Sequence, residues 1–113
     1  MMKLVTCITR TVKLKEIIDA LTTAGIVGMT VTDVHGYGKQ GGQLHHFRGS
    51  AYEVRLLPKV RIDLALPDAQ VPQAVEILME AARTGQAGDG KVFVMPMDDA
   101  FRIRTGESGE EVL

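Results

Sequence analysis

Three glycines and a lysine fall within the stretch Thr84-Gly85-Gln86-Ala87-Gly88-Asp89-Gly90-Lys91. Glycine reaches φ > 0 without strain, so such a stretch can curl its N–H groups toward one point and hold an anion, with the Lys91 ammonium at the rim. Gly85-x-x-x-x-Gly90-Lys91 also has the spacing of a nucleotide-hydrolysing P-loop. That loop needs a strand before it, a helix after it, and a Ser or Thr after the lysine for magnesium. Here a helical pattern comes first, the run Val92-Phe93-Val94-Met95 follows, and position 92 is Val. What remains is a cradle for phosphates without the apparatus to cleave them. A glycine-rich helix-to-strand turn with no ligand is the plainer reading of the same residues.

Other cations could serve the same chemistry. Arg102-Ile103-Arg104 places two guanidinium groups on one side of an extended chain, and Lys59 and Lys39 lie near a long loop. Arginine forks suit planar, bidentate contact with phosphate. Arg102 and Arg104 read equally well as surface partners of the many carboxylates. No general base is readable: Asp89 lies in the glycine turn, and Asp63 alternates out of a strand without an evident partner.

At 113 residues the chain is one small domain, 1–113, and burial at that size is modest enough to favour self-association. A net charge of −1 exerts no general pull on nucleic acid or anionic membrane. RNA binding on an open sheet needs stacking aromatics, and with aromatics at 4% only Phe93 offers one. Cys7 sits in an apolar run and reads as a core residue of a reducing compartment. No apolar stretch approaches a membrane span, and no signal peptide is evident. A cytoplasmic location is expected.

The elements that must position these residues follow from periodicity. Leu4–Ile8 reads as a strand. Leu14, Ile17, Ile18, Leu21 and Ala24 give a helical stripe capped by Gly25. Val27, Met29 and Val31 alternate as a second strand. A glycine-rich run from Gly36 to Gly42 opens a connection too long to be a plain turn in so small a domain. Val60, Ile62, Leu64 and Leu66 alternate as a third strand, pairing with the second as a long hairpin. Asp68 and Pro72 start a helix with Val71, Val75, Leu78 and Ala82 on its inner stripe, ending at Gly85. Lys91–Met95 is a fourth strand ended by Pro96, and Ser108-Gly109-Glu110-Glu111 reads as a fraying tail. The order β-α-β, long loop, β-α-β predicts an α+β, ferredoxin-like double βαβ fold with an antiparallel four-stranded sheet.

Several segments in this order resemble the PII nitrogen-regulatory signalling family over essentially the whole chain. They are Gly28-Met29-Thr30-Val31-Thr32-Asp33-Val34, Gly36-Tyr37-Gly38-Lys39-Gln40, Leu57-Pro58-Lys59-Val60, Ala81-Ala82-Arg83-Thr84-Gly85, Gly88-Asp89-Gly90-Lys91-Val92-Phe93-Val94 and Ile103-Arg104-Thr105-Gly106-Glu107. The resemblance implies a non-catalytic homotrimer that senses ATP and ADP in the clefts between subunits. It also implies a T-loop of about residues 37–55 that presses on protein targets, a phosphate loop of about 84–91 and a flexible tail of about 107–113. Carried over by position, Gly88, Asp89, Gly90 and Lys91 hold phosphates, and Arg102 and Arg104 reach them from the neighbouring subunit. Thr30 and the main chain near Ala65 meet the adenine, while Gly36, Gly38 and Lys39 close on the nucleotide. Gln40 helps to coordinate the Mg2+ that joins ATP to 2-oxoglutarate, whose site comprises Gln40, Gly41 and Lys59.

Departures from the family pattern concern the T-loop. Phe47-Arg48-Gly49-Ser50-Ala51-Tyr52 stands where Tyr-Arg-Gly-Ala-Glu-Tyr is frequent. Tyr52 takes the place of a tyrosine that some members have uridylylated, but without a phenol at 47 and a carboxylate at 51 it reads better as a contact for a partner. Targets by resemblance are an ammonium transporter or nitrogen-metabolism enzymes, with the membrane met only through a transporter. His45-His46 could hold zinc or copper between loop tips, or simply be solvated. Arg10-Thr11 replaces a frequent Lys-Pro beside the nucleotide cleft. A PII-like regulator of a different target or small-anion effector is the alternative function, and a weak ATP-hydrolysing enzyme a further one.

Overall fold

The computed structural model describes residues 1–37, 44–47, 50–53 and 56–113, with 44–47 and 50–53 described for backbone only. Among the described residues there are six strands and two α-helices: β1 (Met2–Thr9), α1 (Leu14–Thr23), β2 (Thr30–Gly36), β3 (Leu44–Phe47), β4 (Ser50–Glu53), β5 (Leu57–Pro67), α2 (Val71–Ala82) and β6 (Lys91–Met97). The main sheet has the order β2-β5-β1-β6, and every neighbouring pair in it is antiparallel. This is the expected ferredoxin-like arrangement. β3 and β4 form a separate hairpin inside the long connection, pairing Leu44 with Glu53 and Phe47 with Ser50. Periodicity did not reveal it, because four residues are too few to display alternation.

Strand alternation divides the sheet into two faces. One presents Val5 and Cys7 of β1 with Val60, Ile62, Leu64 and Leu66 of β5, all buried beneath Ile17 and Leu21 of α1 and Ala74, Leu78 and Ala82 of α2. The register places Leu4, Thr6 and Ile8, Lys59, Arg61, Asp63 and Ala65, and Lys91, Phe93 and Met95 on the other, which no helix covers. On it Thr6 Oγ1 donates to Asp63 Oδ1 at 2.5 Å, and the Arg61 guanidinium lies 2.9 Å from the same carboxylate. Burial raises the Cys7 thiol to about 11, which keeps it protonated and inert.

Local chemistry moves several boundaries from their expected places. α1 stops in a Schellman motif: Gly25 has φ 86°, its N–H reaches Thr22 O at 2.9 Å, and the Ile26 N–H reaches Leu21 O at 2.9 Å. β2 begins at Thr30, not Val27, because its ladder with β5 begins at the pair Thr30–Asp63. Residues 27 and 28 instead wall a cleft of about 190 Å³ with Ala65, Leu66 and Pro67. α2 ends at Ala82 rather than Gly85: Arg83 is extended, with ψ 130°, and the next two amides donate to the Asp89 side chain. Pro96 does not end β6, which runs on to Met97. β6 is an edge strand, where a missing N–H leaves no ladder bond unmade.

The C-terminal part also departs from its reading as extended chain and loose end. Arg102 N–H donates to Glu107 O at 2.8 Å and Gly106 N–H to Arg102 O at 2.7 Å, closing a turn around Ile103 and Arg104. Phe101 then bridges Ser108, and the Gly109 N–H reaches Ala100 O at 3.0 Å. The N-terminal ammonium donates to the Glu110 carboxylate. No helix among the described residues is long and apolar enough to cross a membrane.

Candidate phosphate cradle

The loop between α2 and β6 runs past the end of β1, and side chains from three positions hold it there. Thr9 Oγ1 donates to Asp89 O at 2.7 Å, Lys59 Nζ to Gly88 O at 2.6 Å, and the Arg10 guanidinium to Ala87 O at 2.6 Å. Three consecutive carbonyls are thus drawn toward the sheet. In a planar trans peptide the N–H points opposite to the carbonyl before it, so the amides of Gly88, Asp89 and Gly90 face away from the sheet. Among the described residues none of these three amides has an acceptor. This is the nest that the glycine spacing promises, with Gly85, Gly88 and Gly90 at φ 85°, 99° and 99°.

A second anion already sits inside the loop. Asp89 Oδ2 accepts from Thr84 N at 2.8 Å and Gly85 N at 2.9 Å, while Oδ1 accepts from the Thr84 hydroxyl and from Arg10 Nε at 3.2 Å. Asp89 was expected to hold phosphate; its carboxylate braces the loop, and its N–H is left for a ligand. The Thr84 hydroxyl and amide, then the Gly85 amide and Arg10, hold the Asp89 carboxyl well below the usual carboxylate range, against a lesser opposing effect of burial. A depressed folded-state pKa contributes stability that is complete above the ordinary value of 3.8 and is lost as pH falls through the folded-state value. Asp89→Asn should therefore melt below wild type by a constant margin above about pH 5, and that margin should narrow on acidification. A pH series of thermal melts reads this, and a margin unchanged down to strongly acid pH would remove the brace.

A cavity of about 200 Å³ opens beside the nest, lined by Ile8, Gly36, Tyr37, Lys59, Gly88, Gly90, Lys91 and Phe93. Five expected site residues meet here: Gly36, Lys59, Gly88, Gly90 and Lys91. Lys59 is 7% exposed. Desolvation first, then the charge of Arg10, lowers the proton affinity of its ammonium, and the Asp89 charge partly opposes them. Gly90 approaches β1 so closely that a Cβ there would lie 1.8 Å from Ile8 O.

Other expected residues lie elsewhere. Ala65 lines the cleft with Gly28, and Thr30 stands at the start of β2 opposite Asp63. Arg102 is bound within its own turn, donating to Glu107 Oε1 at 2.6 Å and to Glu111 O at 3.4 Å, as the salt-bridge reading has it. Arg104 is exposed on that turn. Gly38, Lys39, Gln40 and Gly41 lie outside the described residues, as do the side chains of His45, His46 and Tyr52. Sequence reasoning placed Arg10 near the cleft by resemblance but missed its hold on the loop, as it missed Thr9 as a support and Ile8 and Phe93 as walls. Position within a strand says nothing of the loop it will meet.

Among the described residues the cavity is lined by two ammonium groups, those of Lys59 and Lys91, and by no carboxylate. Among the described residues no three His, Cys, Asp or Glu side chains gather as metal ligands. The chain is similar to known proteins over its whole length. The family model described as "Nitrogen regulatory protein P-II" matches residues 2–107. The chain is 49% identical over 112 residues to the nitrogen regulatory protein P-II of Synechocystis sp., covering 99% of this chain and 100% of that protein. It is 47% identical to the nitrogen regulatory protein GlnK of Escherichia coli (strain K12) and 49% identical to the P-II protein of Rhizobium etli, at the same coverage.

Proposed function

Since the chain belongs to the nitrogen regulatory protein P-II family, we propose that this regulator senses ATP and ADP at the cradle and relays which is bound to protein targets through its T-loop. The observation that supports the reading best is the row of carbonyls held inward by Thr9, Arg10 and Lys59, which turns three adjacent amides away from the sheet at the edge of the cavity. Those amides and Lys91 suit a diphosphate, whose oxygens accept from backbone N–H groups and a full cation together. Adenine would lie against the main chain near Ala65 and Thr30, with Gly36 and, from the T-loop base, Gly38 and Lys39 closing over the nucleotide.

The open sheet face, with Leu4, Ile8, Phe93 and Met95, is where neighbouring copies would pack into a homotrimer. The turn carrying Arg102 and Arg104 projects with Ile103 fully exposed at its tip, a shape suited to reaching a neighbour's cradle. Arg102 would then exchange Glu107 for phosphate.

Mg2+ bound with ATP would supply a charge that offsets the third phosphate and offers a coordination site to an α-keto acid such as 2-oxoglutarate. Gln40, with Gly41, lies at the right point of the sequence to hold that group. Lys59 offers its carboxylate partner, since two of the three ammonium donors remain after the bond to Gly88 O. The effector would thereby favour one T-loop arrangement over another. The described lining residues include no carboxylate or imidazole to serve as a general base, which supports binding rather than turnover.

Calorimetric titration with ATP and ADP, each with and without Mg2+ and 2-oxoglutarate, tests this. Both nucleotides are expected to bind, and 2-oxoglutarate only alongside Mg2+ and ATP. Gln40→Ala should weaken 2-oxoglutarate binding by about 100-fold, as expected for loss of a ligand that orients the metal, and change ADP affinity by less than about 3-fold. Equal loss of both ligands in that variant would show that the roles are assigned wrongly.

A further inference from the structure

Arg10 does not line the cavity, yet it touches the loop at two points, on the carbonyl of Ala87 and the carboxylate of Asp89. The other oxygen of that carboxylate holds the amides of Thr84 and Gly85, at the opposite end of the loop. One guanidinium at the end of β1 therefore ties both arms of the turn through a single charged intermediary. Its position is set by the chain around it: Arg10 is extended, with φ −66° and ψ 138°, between β1 and the helical turn Thr11–Lys13. A planar fork with fixed donor directions suits two acceptors at a set angle, which a flexible ammonium does not.

We propose that Arg10 is a positioning residue for polyphosphate binding, which works through Asp89 to keep the Gly88, Asp89 and Gly90 amides aimed at the ligand. This rests on the reading that the loop binds nucleotide phosphates. The amides turn outward only while their carbonyls are held inward. Thr9 and Lys59 hold two of those carbonyls, and Arg10 holds the third together with the carboxylate that braces the start of the loop. Removing Arg10 frees Ala87 O and leaves Asp89 held from one side only. Removing Asp89 first leaves Arg10 only its hold on Ala87 O. The two side chains are therefore expected to be coupled.

Arg10→Ala, Arg10→Lys, Asp89→Ala and the Arg10→Ala/Asp89→Ala double variant would be titrated with ADP, each after a thermal melt to establish folding. Amide exchange at Thr84 and Gly85 would be followed in the same proteins without nucleotide. Arg10→Ala is expected to weaken ADP binding about 10-fold, in keeping with loss of a charge-assisted hydrogen bond, and to speed exchange at both amides to a similar degree. Arg10→Lys, which reaches one acceptor, should recover part of each effect. The double variant should lose less ADP affinity than the product of the two single losses, its excess over Asp89→Ala being the hold of Arg10 on Ala87 O. Losses that multiply in the double variant would make Arg10 a direct phosphate contact and overturn the proposal, as would unchanged exchange in Arg10→Ala. A wild-type protein that binds no ADP would defeat the nucleotide-sensing function, and exchange at Thr84 and Gly85 would then decide alone whether Arg10 orders the loop.

Discussion

Gly90→Ala is expected to lower the melting temperature by roughly 10–20 °C, a loss of about 3 kcal/mol, and to weaken nucleotide binding by more than about 100-fold. Two independent effects add at this position. Gly90 holds φ +99°, where a side chain is strained, and a Cβ there would fall 1.8 Å from Ile8 O, 2.8 Å from Ile8 C and 3.0 Å from Thr9 Cα. All three are backbone atoms of β1, a central strand paired on both sides, so neither the strand nor the loop can yield cheaply. The loop would have to lift from β1, breaking the hold of Thr9 and Arg10 on its carbonyls. Gly85→Ala separates the two effects, for its φ of +85° imposes strain while a Cβ there meets nothing within 4 Å. It should destabilise by only about 1 kcal/mol. Melts of the two variants that coincide within error would show that the loop does not lie against β1 as closely as the structure has it.

Lys59→Met should abolish binding of 2-oxoglutarate with Mg2+ and ATP, by about 100-fold or more, and leave ADP affinity within about 5-fold. The ammonium lines the cavity together with that of Lys91, and it reaches only Gly88 O within the described chain. A carboxylate entering the cavity would find it desolvated and ready to pair, which strengthens the contact relative to a surface lysine. ADP draws mainly on the amides and Lys91 and should feel only the slackening of Gly88 O. The same substitution has a signature in the free protein. Burial lowers the pKa of Lys59 from 10.5, so the folded state loses this proton at a lower pH than the unfolded chain does. Between those two values the unfolded state binds more protons, and wild-type stability therefore rises with pH relative to Lys59→Met. A difference in melting temperature that stays flat up to pH 10.5, or falls, would contradict the buried ammonium.

Much of the fold was legible in the sequence because its signals are local. The 3.6-residue stripe of Leu14, Ile17 and Leu21 and the alternation of Val60, Ile62, Leu64 and Leu66 both predicted the faces that the structure buries. Boundaries were misread where a competing partner from elsewhere in the chain decided them. α2 stops early because Asp89 takes the amides of Thr84 and Gly85, and β6 passes through Pro96 because it lies at the edge of the sheet. The hairpin of β3 and β4 carried too short a pattern to be seen, and the turn around Ile103 depends on Glu107 returning to Arg102.

For the site, residue types and spacing alone determined that Gly85, Gly88 and Gly90 could take φ > 0 and that Lys91 would stand beside them. These are properties of the backbone and of neighbours in sequence. Which way the amides face was decided by Thr9, Arg10 and Lys59, which lie 29 to 80 positions away along the chain. A carbonyl turns toward whichever donor the packed sheet brings within reach. That pairing exists only after β1 and β5 have come together and carried their side chains to the end of the loop.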